Sequence, residues 1–202
     1  MKKNITLSIS IILLLFSCKK EDLSYLHKYP GLPDATQSGE NTMGCLINGV
    51  PWVANIENPD FFSGLRNLQA DYGEYSKNQS LLDRYYLTIV CKKRAEKNEK
   101  YINGYRVLEQ FYFGLRPINS KGLFYAGSGD VRTIEYIKSN ENEEKKRYVL
   151  DTLSPIKLEI TKFDTLHNII SGLFDFKLKR ISNFSDTLMI TNGRFDANYW
   201  EY

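Results

Sequence analysis

A two-residue rhythm in the last third of this chain constrains its fold more than any other feature. Ile156, Leu158 and Ile160 alternate with Lys157 and Glu159, and Ile170, Gly172, Phe174, Phe176 and Leu178 alternate with Ser171, Asp175, Lys177 and Lys179. Phe195, Ala197 and Tyr199 extend the inward set. Successive side chains of a strand point to opposite faces, so the pattern predicts strands with one buried and one wet face. That is the habit of antiparallel sheets. Earlier segments agree. Tyr85, Leu87, Ile89 and Cys91 alternate with Tyr86, Thr88, Val90 and Lys92, and Phe111, Phe113 and Leu115 with Gln110, Tyr112 and Arg116. Asn48-Gly49 and Asn192-Gly193 predict tight turns, because both central positions of such hairpins need positive φ. A further turn is expected near Asp164 to Asn168. The 14 Tyr, 11 Phe and 2 Trp also favour strands. The expected fold is all-β: a single antiparallel β-sandwich or barrel-like domain of about 8–10 strands, helical at most near residues 78–84.

The start of the chain has a different character. Lys2 and Lys3 precede the short apolar run Ile5 to Phe16, and Ser17-Cys18 closes it. The run falls short of the roughly 20 apolar residues that span a bilayer. It reads as a bacterial lipoprotein signal cut before Cys18, whose thiol would carry the lipid. Lys20-Glu21-Asp22 resembles the lysine-plus-two-acids signal that exports lipoproteins to the cell surface in Bacteroidota; the other reading is a solvated spacer. Residues 19–43, with Pro30, Gly31, Pro33 and Gly39, show little periodicity. The expected organisation is therefore a signal peptide over 1–17, a lipid-anchored flexible tether over 18–43 and a β-rich domain over 44–202. A single acyl chain holds a protein marginally and several hold it firmly. Lipoproteins of this kind carry two or three, which predicts a stable outer-membrane anchor.

Charge argues against nucleic acid as a partner. Without Lys2 and Lys3 the 27 basic residues become 25, against 24 acidic ones. The basic runs Lys92-Lys93-Arg94 and Lys145-Lys146-Arg147 sit beside Glu96, Glu99, Glu141, Glu143 and Glu144 and read as solvated loops, not as the clustered basic face a polyanion requires. With Cys18 lipidated, Cys45 and Cys91 remain. They form either a disulfide, which an oxidising envelope permits, or two buried core thiols.

Chemistry-bearing constellations are scarce. His27 lies in the tether and His167 in a turn, too few imidazoles for a zinc site. Gly127-Ser128-Gly129-Asp130 has neither the nucleophile-elbow pattern nor the Gly-Lys-Ser/Thr of a phosphate loop. Cys91 shares a face with Leu87 and Ile89, which makes it a core residue and not the partner of His167. The carboxylate pairs Glu57 with Asp60 and Asp175 with Asp196 read as outward strand and turn positions rather than as the facing acids of a glycosidase. Arg194 and Asp196 flank Phe195 and share its outer face, which predicts a surface ion pair with a neighbouring strand, such as with Asp175 or Lys177, or else a polar patch on a binding face. Tyr199 belongs to the inward set, leaving Trp200 and Tyr202 as exposed aromatics, suited to stacking on a sugar or to closing a strand end.

Three blocks carry a family resemblance. They are Gly44-Cys45-Leu46-Ile47-Asn48-Gly49-Val50-Pro51-Trp52, Ile170-Ser171-Gly172-Leu173-Phe174-Asp175-Phe176, and Ile190-Thr191-Asn192-Gly193-Arg194-Phe195-Asp196. Behind a lipoprotein signal they resemble a family of small Bacteroidota lipoproteins, a domain of unknown function. The resemblance covers residues 42–202 and implies a β-rich envelope protein; it carries no catalytic residue.

The expected function is thus a lipid-anchored cell-envelope protein, not an enzyme, whose β domain is a binding or structural module. No cofactor is expected. Its partners would be the membrane, through the lipid, and a glycan or protein ligand. A surface hydrolase acting on glycans and an accessory subunit of an uptake complex are the alternatives.

Overall fold

The computed structural model describes residues 29–55, 67–74, 85–97, 105–115, 121–124, 131–139 and 145–201. The signal, Cys18, Lys20-Glu21-Asp22, His27, Glu57, Asp60, residues 78–84, the Gly127 turn and Tyr202 lie outside them.

Eleven strands form one large, mostly antiparallel sheet, and no helix occurs among the described residues. They are β1 (Thr42–Ile47), β2 (Val50–Val53), β3 (Leu68–Glu74), β4 (Tyr85–Lys97), β5 (Tyr105–Leu115), β6 (Gly122–Phe124), β7 (Val131–Lys138), β8 (Lys146–Leu150), β9 (Lys157–Asp164), β10 (Ile169–Arg180) and β11 (Asn183–Glu201). The hydrogen-bonded order is β2-β1-β11-β3-β4-β5-β7-β8-β10-β9-β6, and β11 pairs in addition with β10. The basic residues expected in loops lie instead within strands, Lys92 to Lys97 in β4 and Lys146 and Arg147 in β8. In β8, Arg147 bonds Glu135 of the adjacent β7 at 2.5 Å.

The inward set behaves as its period dictates. Ile170, Phe174, Phe176, Leu178, Phe195, Ala197 and Tyr199 are all buried. Phe113 of β5 stands 5.2 Å from Phe174, 6.1 Å from Phe176 and 6.5 Å from Phe195, centroid to centroid. Trp52 meets Phe111 edge-on at 4.9 Å, and its indole N–H donates to the Glu109 carboxylate. Each fully buried aromatic contributes about 1.5–3 kcal/mol, so this cluster dominates the stability of the fold.

The two Asn-Gly pairs behave differently. Asn48-Gly49 turns between β1 and β2, with φ of 51° and 82°. Asn192-Gly193 does not turn. It lies inside the continuous β11, where pairing to β10 shifts register between Phe174 and Phe176. The chain reverses earlier, at Ile181-Ser182. Asn192 still adopts a left-handed φ of 52°, but as a β-bulge, and its N–H donates to Asp175 Oδ1 at 2.7 Å. Gly193 then lies against the Phe174 ring, where a Cβ would fall 2.1 Å from Cε2.

The latter part of the expected tether is packed on the domain as a strap. Gly31 lies by Pro51, and Pro33 packs so closely on Gly44 that a Cβ there would meet Pro33 Cδ at 2.6 Å. Gln37 O accepts a hydrogen bond from Lys162 Nζ of β9 at 3.0 Å, and Arg194 donates to Pro33 O at 3.4 Å. The strap covers the outer side of β11, which is why Arg194 and Asp196 are 5% and 1% exposed instead of lying on a wet face.

Candidate functional site

Two polar centres flank the C-terminal half of β11, and their chemistry differs. The first is Asp196. Its Oδ1 accepts from Ser171 Oγ at 2.7 Å, and its Oδ2 from Thr36 Oγ1 at 2.6 Å. The backbone N–H groups of Ser38, Gly39 and Glu40 reach Oδ2 at 3.0, 2.9 and 3.1 Å. Successive N–H groups converging on one carboxylate form an anion nest, helped here by Gly39 at φ 78°. Burial pushes the carboxyl pKa up. The Thr36 hydroxyl, the Glu40 N–H, the Ser171 hydroxyl and the Gly39 N–H together outweigh it, leaving the group below the usual carboxylate range. Five donors saturate this carboxylate, so it is a latch and not a general base. Asp175 is no partner to it, being engaged with Asn192 N–H, and Lys177 lies 3.8 Å from Asp151.

The second centre is a cleft of about 510 Å³ beside the end of β11. It forms where β11 exchanges one neighbour for another. The antiparallel pairing with β1 ends at Asp196 and Thr42, and parallel pairing with β3 begins at Tyr199 and Ala70. Asn198 falls in the seam. Its N–H, without a strand partner on that edge, donates to Asn41 Oδ1 at 3.0 Å. Its side-chain Nδ2 donates to Gly39 O at 2.6 Å, which Asn41 Nδ2 also reaches at 3.2 Å. Gly39 thereby joins the latch to the wall of the cleft.

Opposite this wall stands the turn before β10. Asp164 Oδ1 accepts the N–H groups of Leu166 and His167, each at 3.1 Å, and His167 Nδ1 lies 3.0 Å from Asp164 Oδ2. The His167 ring and N–H hold the Asp164 carboxyl down to about 2. Asn168 ends the turn at φ 54°, a left-handed conformation that Asn tolerates better than most residues, and its O accepts Tyr199 N–H at 2.8 Å. Leu68 and Tyr199 line the cleft as buried apolar groups, and Trp200 lines it 48% exposed. Asn67 completes the lining. Its Oδ1 is buried and, among the described residues, accepts no hydrogen bond. A buried acceptor left so costs about 1–3 kcal/mol.

The cleft is thus lined by carboxamides, one imidazole, one half-exposed indole and the apolar side chains of Leu68 and Tyr199. Such a lining can exchange hydrogen bonds in both directions and offer an aromatic face. Among the described residues no group of three or more His, Cys, Asp or Glu is placed to hold a metal ion. Of the residues singled out in the sequence, Trp200 and His167 come together here. Cys45 and Cys91 lie elsewhere, as free thiols in the core, both pushed well up by burial first and by a neighbouring group second. Asn41, Asn67, Asn168 and Asn198 carried no shared signal, being far apart along the chain; only the left-handed conformations of Asn41 and Asn168 mark two of them.

No protein-family model, curated protein or solved structure matches this chain.

Proposed function

We propose that this chain is a lipid-anchored outer-membrane protein, exposed at the cell surface, whose β domain is a non-catalytic binding module. The lipoprotein signal ending at Cys18, the Lys20-Glu21-Asp22 export pattern and the resemblance to Bacteroidota lipoproteins support the location. The observation that carries the binding reading is the Asn- and Trp-lined cleft, whose wall at Asn198 is held in shape by the strap. Of the carboxylate pair Asp175 and Asp196, Asp196 is saturated by backbone and hydroxyl donors and Asp175 Oδ1 accepts the Asn192 N–H, which favours recognition over hydrolysis.

We also read the fold as barrel-like. The pairings β11-β3-β4-β5-β7-β8-β10 return to β11, a circuit that leaves these seven strands without a free edge between them. With Gly31 docked, 13 residues, 18–30, separate the strap from the lipidated cysteine. At full extension they reach at most about 45 Å.

Metabolic labelling with radioactive palmitate tests the anchor. Label should enter the full-length protein and vanish in Cys18→Ala. Incorporation that persists in that variant would overturn the reading.

A further inference from the structure

We propose that the tip of the β10–β11 hairpin, led by Ile181 and Phe184, rests in the apolar boundary of the bilayer that holds the Cys18 lipid. The domain then stands on that end with its cleft turned away from the membrane. This rests on the lipid-anchor reading and goes beyond it, since a tether alone leaves the orientation of the domain open.

The tip is not what a hairpin turn asks for. Arg180 pairs with Asn183, leaving Ile181 and Ser182 as a two-residue connection. Such connections favour Asn, Gly and Asp, so turn chemistry does not account for a β-branched side chain there. Ile181 is 45% exposed and Phe184 69%. Met189 and Val50 extend the exposed apolar surface behind them. Asn48, two residues before Val50, exchanges hydrogen bonds of 2.8 and 2.9 Å with the Met189 backbone. Lys177 lies across from Met189, and the Lys179 ammonium stands 5.5 Å over the Phe184 ring. Both lysines project from the same side of β10, so Met189 and Phe184 border one face.

The course of the chain identifies what covers this end. Gly31 lies by Pro51, Pro33 by Gly44, Ser38 to Glu40 at Asp196 and Asn41 at Asn198. The strap thus runs along β11 away from the hairpin tip, and traced backward from Gly31 it heads toward the tip. Pro51 is level with Leu46 and Thr191, about 25 Å from the tip along β11 at the usual strand rise. Residues 18–30 reach at most about 45 Å, enough to bring Cys18 level with Ile181 and Phe184. The cleft lies at the other end, where Asn168 precedes β10, roughly 35 Å along that strand from the tip.

Charge does not draw this end to the membrane. Lys177 and Lys179 lie 3.8 and 3.5 Å from Asp151, and Arg180 lies 3.6 Å from Asp186. The contact is apolar burial at the headgroup boundary, which salt does not screen.

The test uses the full-length lipoprotein in vesicles of neutral phosphatidylcholine. Ser182→Cys places a nitroxide at the exposed tip and keeps Ile181 and Phe184; Leu166→Cys places one in the exposed turn at the cleft end. Cys45 and Cys91 are buried, which confines labelling to the new thiol. The label at 182 should be reached by oxygen, which partitions into lipid, and shielded from a water-soluble nickel chelate. The label at 166 should show the reverse, and high salt should change neither. Adding Ile181→Asp and Phe184→Asp should return the tip label to water while the protein still floats with the vesicles and keeps the parent Tm. A tip label open to the chelate in protein that floats would overturn the docking and leave the anchor standing. A tip label released by high salt would overturn its apolar basis. Shielding from both reagents, with spin–spin broadening that fades on dilution with unlabelled protein, would assign the surface to a second copy of this chain instead. Protein that stays out of the floated vesicles would overturn the anchor and the docking with it.

Discussion

Thr36 and Asp196, 160 positions apart in the chain, share a hydrogen bond of 2.6 Å. Through it and the adjoining N–H groups, a segment with no strand pattern becomes part of the β domain. Asp196→Ala removes the acceptor for five donors, two hydroxyls and three backbone N–H groups, each of which loses a charge-assisted bond. Hydrogen bonds to charged groups contribute about 1.5–3 kcal/mol each, with non-additive sums. We expect a loss of about 3 kcal/mol, or roughly 6–12 °C in Tm for a domain of this size. Thermal unfolding measures it; a Tm within 2 °C of the parent, as an order-of-magnitude threshold, would refute the latch.

The same carboxylate sets an acid limit. Its folded pKa is depressed, so its stabilisation is complete above the unfolded value near 3.8 and disappears as pH falls through the lower folded value. Asp164, held down to about 2, adds stability with the same sign. Stability should therefore fall between about pH 4 and pH 2. Asp196→Asn should show a shallower fall over that range in denaturant titrations at stepped pH.

Gly193 admits no side chain while Phe174 keeps its place, because the ring occupies the Cβ position. Gly193→Ala should force Phe174 away from Phe113 and Phe195 and cost about 1–3 kcal/mol, the usual range for overpacking. Urea unfolding with the parent as reference decides this. An unchanged midpoint would mean that the bulge is not packed as described.

Cys45 and Cys91 should resist alkylation in the folded protein, since burial holds both as neutral thiols. A maleimide added under native conditions should leave the mature domain unmodified, and one added in denaturant without reductant should give two adducts by mass. No adduct until a reductant is added would reveal a disulfide instead.

How much of this was legible in the sequence follows from the range of each interaction. The inward set of β10 and the end of β11 was readable because strand alternation is local, and Trp200 was readable as exposed because it follows the inward Tyr199. The strap was not: Arg194 and Asp196 carry the polar signature of a wet face, and only chain from Gly31 to Asn41 makes that face dry. Asn192-Gly193 satisfies the φ requirement of a hairpin turn and of a bulge alike. Asp175 on the neighbouring strand, accepting the Asn192 N–H, distinguishes them. β3 was hidden because Ala70 and Gly73 give it little apolar contrast, and its partner across the seam, β11, lies far along the chain. The cleft depends on that seam and so was visible only as one aromatic and one histidine.

Cleavage of intact cells with a protease, followed by N-terminal sequencing of the released fragment, tests the account most directly, because it reads the surface anchor and the docked strap together. A periplasmic protein left whole serves as control. The account predicts release of a folded domain whose first residue lies at or before Gly31, since the strap from there onward is held by Asp196 and its neighbours. A fragment beginning at or after Thr42 would show the strap to be free chain. No release until the outer membrane is opened would place the domain on the inner side and contradict the surface reading.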